Sequence, residues 1–211
     1  MNALPPFVRT FIAIDVPEDL KLAIGRIQQE LAKLGGGRVS WAKPGGIHLT
    51  LKFLGDVDRD VLDGVVKAVR KGVNGRSDFA LKTTERGGFP SLTLPRTLWL
   101  GVDGGAALTD LRASLQKSLF DAGFPIEGAK FRPHLTVGRV KSLAKGSPIP
   151  AKFVEAPLQV FEWHAAGVNV MASQLKPTGA EYSVVETVGL VPSYLEKSNV
   201  ECAEGASFLR K

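Results

Sequence analysis

The 211-residue sequence contains a single cysteine, Cys202, and only three histidines. A disulfide framework within the chain is therefore excluded, and so is a zinc site built from several cysteines. No apolar run approaches the roughly 18 residues that a membrane span needs. The first residues lack the basic segment and apolar core of a secretory signal peptide. These absences favour a cytoplasmic protein with no membrane partner.

Charge and composition indicate an ordinary globular chain with a modest basic excess. Lys and Arg number 27 against 21 for Asp and Glu, so the formal net charge is +6, and 44% of the residues are hydrophobic. This balance is compatible with a polyanionic partner but does not require one. The length allows one large domain or two small lobes, and we expect a monomer.

Hydrophobic periodicity predicts three amphipathic helices, which begin at Pro17, near Asp60 and at Leu108. Segments rich in β-branched and aromatic residues predict strands between and after them. The predicted strands cover residues 7–15, 47–54, 78–85, 97–102, 132–140, 158–164, 168–174 and 182–188. The pattern predicts an α+β fold of antiparallel strands with outer helices.

Glycine and proline mark the predicted loops and the end of the domain. Residues 87–90 and 145–150 are read as loops because glycine, serine and proline are concentrated there. Residues 191–211 show no clear period. We therefore expect a single domain over residues 1–190 and a C-terminal tail of unknown role.

Two of the three histidines lie in closely similar octapeptides about half a chain apart. The first reads IHLTLKFL at residues 47–54, and the second reads PHLTVGRV at residues 133–140. Both place His-Leu-Thr-aliphatic on a predicted strand. A repeat of this kind predicts two lobes of similar design, each contributing one such strand.

Strand geometry gives the spacing inside each motif a meaning. Residues i and i+2 point to one face of a strand, so His48 lies beside Thr50 and His134 beside Thr136. The remaining motif residues point the opposite way, into an apolar layer: Leu49, Leu51, Leu135 and Val137. If a pseudo-two-fold axis relates the lobes, the two His-Thr pairs face each other across a cleft.

Such a constellation suits the cleavage of a phosphodiester. Two imidazoles that titrate near neutral pH can act as general base and general acid in one turnover. Threonine hydroxyls can donate hydrogen bonds to the non-bridging oxygens of a phosphate. In-line displacement at phosphorus needs a base on the attacking oxygen and an acid on the leaving one. Histidines from opposite lobes supply both without a metal.

Other readings of these residues have less support. A single His-x-Thr on a strand is most often structural, but a duplicated core strand has no need of histidine. Metal ligation requires a third ligand, and the only other histidine, His164, is read as a surface or turn residue. Neither Cys202 nor a serine motif supports a nucleophilic mechanism.

Beyond the two motifs, the sequence resembles the RNA 2′,3′-cyclic phosphodiesterases, also called 2′-5′ RNA ligases, of the two-histidine phosphoesterase superfamily. This family is marked by two His-x-Thr-x motifs about half a chain apart. Further family-like blocks are RTFIAIDVP, WAKPGGIHLTLKFLGD, GGFPSLTLPRTLWLGV, FRPHLTVGRV and MASQLKPTGAEYSVV. The resemblance covers about residues 9–190.

The resemblance implies two pseudo-symmetric α+β lobes, each an antiparallel sheet with outer helices, flanking a central cleft. It implies metal-free hydrolysis of a 2′,3′-cyclic phosphate at an RNA end to a 2′-phosphomonoester, with tRNA fragments as candidate substrates and no cofactor. Ligation through a 2′-5′ linkage is also attributed to the family. Carried over to this sequence, His48 is the proton donor and His134 the proton acceptor.

Three accessory residues follow from the resemblance or from strand position. Arg139 matches a family arginine that would neutralise phosphate charge, provided that a bulge at Gly138 turns it to the face of His134. Phe11 matches a family aromatic that could stack on the terminal base, and it could equally be a core residue. Lys52, at i+4 from His48, would share the histidine's face, although a solvated lysine is the commoner outcome.

Two rival functions use the same residues. A small-molecule cyclic phosphodiesterase would need the same catalytic core, and a basic surface beyond the cleft would favour RNA over it. An RNA-binding module would contact phosphate through the His-Thr strands, with salt-dependent affinity and no turnover.

Overall fold

A computed structural model of the chain describes residues 6–176 and 179–193. Within them the chain forms four helices and nine strands. The helices are α1 (Glu18–Lys33), α2 (Leu62–Val73), α3 (Gly105–Asp121) and α4 (Ile149–Glu155). The strands are β1 (Phe7–Ile14), β2 (Gly37–Trp41), β3 (Leu49–Asp58), β4 (Phe79–Phe89), β5 (Thr97–Asp103), β6 (His134–Leu143), β7 (Glu162–Ala165), β8 (Gly167–Lys176) and β9 (Gly179–Gly189).

The strands form one antiparallel sheet that is nearly divided in the middle. Its order is β7-β4-β5-β6-β3-β1-β8-β9, and β2 pairs with the free part of β6. β3 and β6 pair only at Leu49 and Leu135. We call this single pair the seam.

The seam separates two lobes. The His48 lobe consists of β3, β1, β8 and β9, with α2 and α3 packed against them. The His134 lobe consists of β2, β4, β5, β6 and β7, with α1 and α4. The predicted α+β fold, with one motif strand from each lobe, is confirmed.

The amphipathic pattern of the helices accounts for the core. The buried face of α1 is formed by Leu20, Ile24, Ile27 and Leu31, and that of α3 by Leu108, Leu111, Leu115 and Leu119. Burying each such side chain stabilises the fold by about 1.5–3 kcal/mol. The helix α1 ends before Gly35 and Gly36, which both have positive φ, a conformation that glycine adopts without strain.

Two elements were not predicted from the sequence, and one predicted loop is wrong. The short strand β2 follows the glycines after α1, and α4 begins at Ile149 inside the expected loop at 145–150. The expected loop at 87–90 is mostly strand, because β4 continues to Phe89. Gly87 makes this continuation feasible: a Cβ there would overlap the ring of Trp99, which lies across the strand.

The first residues of the predicted tail are attached to the domain. The backbone of Val191 accepts a hydrogen bond from the Asp78 amide at 2.8 Å and donates one to the Arg76 carbonyl at 2.9 Å. The Ser193 amide donates to the Asp78 carboxylate at 3.0 Å. Residues 194–211 of the predicted tail lie outside the described residues.

None of the helices in the described part of the chain has the length and apolar character needed to cross a membrane.

Candidate active site

The two histidines lie on either side of the seam. His48 immediately precedes β3, and His134 is the first residue of β6. Because the strands are antiparallel and Leu49 faces Leu135, Thr50 lies across the seam from His134, and Thr136 lies across it from His48. The register therefore brings all four polar motif residues to one region of the molecule.

Both motif strands carry a β-bulge at the fourth residue of the motif. In β3 the bulged residue is Leu51, which lies between the paired residues Thr50 and Lys52. In β6 it is Val137, which lies between Thr136 and Gly138. A bulge adds one residue to a strand and thereby reverses the alternation of side chains beyond it.

A helix side chain binds the carbonyl oxygen of each bulged residue. Arg112 of α3 donates from Nε to the Leu51 carbonyl at 3.1 Å. Gln28 of α1, only 8% exposed, donates from Nε2 to the Val137 carbonyl at 2.9 Å. The Val137 carbonyl also accepts from the Ala42 amide at 3.0 Å. The side-chain hydrogen bonds therefore attach each bulge to a helix.

The bulge in β3 makes the expectation for Lys52 wrong. Lys52 does not share the face of His48: its side chain is 2% exposed, and Nζ donates to the Pro125 carbonyl at 2.5 Å. Burial lowers the pKa of Lys52 below its usual range. Alternation without a bulge would have placed this side chain in the cleft.

The bulge in β6 brings Arg139 to the site face, as the sequence analysis required. The extra residue is Val137 and not the expected Gly138. Gly138 has a different role, because a Cβ there would lie 2.8 Å from the side chains of Trp41 and Val39. Arg139 is exposed, and its positive charge lowers the pKa of His48. Arg139 therefore acts on the histidine of the opposite lobe.

Phe11 lies beneath His48, which agrees with the second of the two roles left open for it, that of a core residue. Its ring is 2% exposed and stacks on the imidazole with centroids 4.7 Å apart. A base cannot reach a ring that is covered in this way. The accessible aromatic is its neighbour Phe53, which is 60% exposed and lies 5.9 Å from Phe11 between ring centroids.

Each imidazole packs against two aromatic rings of its own lobe. Tyr182 of β9 is the second ring beside His48, edge-on at 5.2 Å. Beside His134 the rings are Phe89 of β4 at 5.0 Å and Trp99 of β5 at 6.3 Å. No motif in the sequence indicated a role for these three aromatics, although all of them lie within the family-like blocks. Their position in these blocks was the one sequence signal that could have indicated a role in the site.

The environment of His48 favours its neutral form. Burial is the main cause that lowers its pKa from 6.5 to about 4; the charges of Arg139 and Lys21 add to the effect, and Asp15 opposes it. The Nδ1 atom is buried and has no hydrogen-bond partner among the described residues. His48 is therefore uncharged at neutral pH in the free protein.

His134 is tethered to the backbone. Its Nδ1 lies 2.7 Å from the carbonyl oxygen of Arg132. A carbonyl only accepts hydrogen bonds, so Nδ1 carries the hydrogen and Nε2 of the neutral ring presents a lone pair. This tautomer is the one that a general base acting through Nε2 needs.

The third histidine lies away from the two motifs. His164 is in β7, with its side chain 61% exposed and Nδ1 3.9 Å from an Asp78 carboxylate oxygen. In the described residues no group of three or more His, Cys, Asp or Glu side chains is arranged to hold a metal ion.

The arrangement can perform acid–base chemistry on a phosphate held at the seam. It offers one imidazole with a free Nε2 lone pair, a second, half-buried imidazole on the other side of the seam, two hydroxyls and a guanidinium. Proton transfer by positioned imidazoles, with hydrogen-bond donors on a developing phosphorane, is a sufficient set for in-line displacement.

Comparison with known proteins agrees with this chemistry. The family model that matches residues 16–176 describes the 2′-5′ RNA ligase superfamily. A Methanothermobacter thermautotrophicus protein named RNA 2′,3′-cyclic phosphodiesterase is 33% identical over 184 residues, which is 87% of this chain and 99% of the relative. A Thermotoga maritima protein of the same name is 35% identical over 179 residues, 84% of this chain and 93% of the relative.

Solved structures show the same fold. The crystal structure of TT0787 from Thermus thermophilus matches with a TM-score of 0.71 at 24% identity, covering 88% of this chain and 99% of that one. Escherichia coli LigT complexed with 3′-AMP matches with a TM-score of 0.64 at 21% identity, covering 87% and 98%. At these identities the likeness concerns the fold.

Proposed function

The chain belongs to the 2′-5′ RNA ligase superfamily, and from this we propose that it hydrolyses the 2′,3′-cyclic phosphate of an RNA 3′ end to a 2′-phosphomonoester. The observation that carries the proposal is the pair of His-x-Thr-x strands meeting at the seam. The names of the curated relatives support the same activity.

In the proposed reaction His134 activates water. Its Nε2 accepts a proton from the water oxygen, which forms a bond to phosphorus. His48 donates a proton to O3′ as the bond from phosphorus to O3′ breaks, so a 2′-phosphate and a free 3′-hydroxyl result. Thr50, Thr136 and Arg139 stabilise the charge on the non-bridging oxygens.

The buried His48 must be protonated before it can act as the acid. A phosphate anion beside the imidazole favours the charged form and opposes the burial that lowers the pKa of His48. Substrate binding therefore raises the pKa of His48, so that the imidazole is protonated when it has to act as the acid. The free protein would otherwise hold this histidine neutral at pH 7.

The same site serves ligation when a 5′-hydroxyl replaces water as the nucleophile, and the product is then a 2′-5′ linkage. We place the enzyme in the cytoplasm as a monomer, with the catalytic unit within residues 1–190. RNA ends, tRNA fragments among them, are the proposed substrates. Hydrolysis of small cyclic phosphates is the competing assignment, since it uses the same groups.

The test is incubation with a 2′,3′-cyclic-phosphate oligonucleotide in the presence of EDTA, followed by identification of the product end. A 2′-phosphomonoester formed in EDTA is the expected result. Activity that EDTA abolishes and Zn²⁺ or Mn²⁺ restores would overturn the two-histidine mechanism. Binding without turnover would instead identify an RNA-binding module.

A further inference from the structure

A polar pocket of about 180 Å³ lies beside His48, between strands of the His48 lobe and the first turn of α1. A single water position needs only about 10–15 Å³, so the pocket accepts a group of many atoms. The mechanism above does not use its polar residues Asp15, Lys21, Asn169 and Tyr182. Val184 also lines the pocket and is 53% exposed, which places it at the rim.

The charge in the pocket argues against phosphate as its occupant. The Lys21 ammonium is 3.0 Å from Asp15 Oδ1 and 2.8 Å from Glu18 Oε1. Burial alone would lower the pKa of Lys21, but these two carboxylates outweigh it and raise the pKa. The ammonium is thus charged and already paired with two anions. The group that binds here is one that offers hydrogen-bond donors to a carboxylate.

Donor and acceptor positions in the pocket fit the edge of a nucleobase. Asp15 uses Oδ1 both for Lys21 and for the Val16 amide, which leaves Oδ2 to accept. Asn169 Oδ1 accepts from the Thr187 hydroxyl at 2.8 Å, which directs the amide NH₂ elsewhere as a donor. Asn169 pairs with Ala13 on β1, two residues before Asp15, so both polar groups stand on one face.

We propose that this pocket binds the terminal base of the substrate and prefers bases that carry an exocyclic amino group. The inference rests on the proposed function, in which His48 protonates O3′, because O3′ belongs to the terminal ribose and that ribose must then lie next to His48. Adenine, cytosine and guanine offer an amino donor to Asp15 and a ring or carbonyl acceptor to Asn169. Uracil places a carbonyl oxygen where the amino group would be, facing the carboxylate.

Cytidine and uridine 2′,3′-cyclic phosphates test the proposal, because they differ only on this edge of the base: cytosine has a 4-amino donor and an N3 acceptor where uracil has a 4-carbonyl acceptor and an N3–H donor. The wild-type protein should favour cytidine in kcat/KM by about three- to tenfold, because the Asp15 side chain is 68% exposed and water competes for its carboxylate. In Asp15→Asn the ratio of kcat/KM for the cytidine substrate to that for the uridine substrate should fall towards one, because an amide can present either a donor or an acceptor. The ratio cancels effects on His48 that are common to both substrates.

Two further variants complete the experiment. Asp19→Asn removes the same charge from an exposed residue of the first turn of α1, and it should retain the wild-type preference. Val184→Trp narrows the rim, and it should raise KM for cytidine 2′,3′-cyclic phosphate more than for glycerol cyclic phosphate, which has no base.

The outcomes separate this proposal from the function on which it rests. Equal kcat/KM for both pyrimidines in the wild-type protein would overturn the base pocket and leave the hydrolase intact. An unchanged preference in Asp15→Asn would overturn the role of Asp15. Failure to hydrolyse any cyclic phosphate would overturn the proposed function and the pocket together.

Discussion

The two lobes repeat the same local architecture with different chemistry at equivalent positions. Each has a His-x-Thr strand, a bulge at the fourth motif residue and a helix side chain on the bulged carbonyl. Each imidazole packs against two aromatic rings. The shared features are those that fix backbone position and ring orientation, whichever role the histidine has.

The lobes differ in how the imidazoles are held. His134 is tied through Nδ1 to the Arg132 carbonyl, whereas the Nδ1 atom of His48 is buried and has no hydrogen-bond partner among the described residues. A fixed tautomer suits a base, and a buried ring that is charged only when an anion binds suits an acid. These differences favour His134 as the base and His48 as the acid. The two sequence motifs are too similar to distinguish these roles.

The largest effect is expected from removing either histidine. General acid–base catalysis is worth about 10²–10⁴ in rate, so His48→Ala and His134→Ala should each lose at least that in kcat. Because the two act as a unit, the double variant should be little worse than the poorer single one. Thermal unfolding of each variant checks that the fold is retained.

A substrate with an activated leaving group distinguishes the two lobes in the same variants. Such a leaving group needs no acid, so it should rescue His48→Ala but not His134→Ala. Rescue of His134→Ala alone would reverse the roles, and full activity in either variant would end the mechanism.

A second difference between the lobes should appear in stability against pH. The pKa of His48 falls from 6.5 to about 4 on folding, so the unfolded chain binds the proton more tightly between these values. The contribution of His48 to the free energy of unfolding is therefore fully present above pH 6.5. It decreases by about 3 kcal/mol as the pH falls towards 4. Urea unfolding across this range measures the loss.

Matched variants isolate the contribution of His48 to that pH dependence. His48→Asn should flatten the fall in stability between pH 6.5 and 4. His164→Asn alters a histidine that is 61% exposed, and this variant should show the same fall in stability as the wild-type protein. An identical pH dependence in all three proteins would contradict the buried, neutral His48.

The residues five positions after each histidine provide the third test. Arg139→Gln should weaken catalysis with every cyclic phosphate, since all substrates share the phosphate. Arg139→Gln should also raise the pKa of His48, which NMR titration of the free protein would show.

Phe53→Leu should raise KM for an oligonucleotide and leave KM for a mononucleotide nearly unchanged, because base stacking is worth about 1–3 kcal/mol. Equal effects of Phe53→Leu on both substrates would contradict a stacking role beyond the terminal nucleotide.

The sequence predicted the lobes and the two motif strands because periodicity and an internal repeat are local signals. It did not predict the bulge at Leu51, and it placed the bulge of β6 at Gly138 instead of Val137, because the position of a bulge depends on partners that are distant in the chain, such as Gln28 and Arg112. The error at Lys52 follows from that omission, because strict alternation fails beyond Leu51. The roles of Phe89, Trp99 and Tyr182 likewise depend on strands that meet only in the folded sheet.

The smallest effect is expected where the His48 lobe passes into the tail. Truncation after Ser193 should leave turnover and stability unchanged, because every family-like block of the sequence lies before it. Truncation after Leu190 removes the backbone hydrogen bonds of Val191 and that of Ser193 to Asp78. Each such bond contributes about 1 kcal/mol, so unfolding should require less urea while kcat/KM stays the same. Asp78 lies beside β4 of the His134 lobe, so these bonds connect β9 of one lobe with the other. A loss of turnover greater than the loss of folded protein, in either truncation, would place the tail in the active site and contradict a catalytic unit confined to residues 1–190.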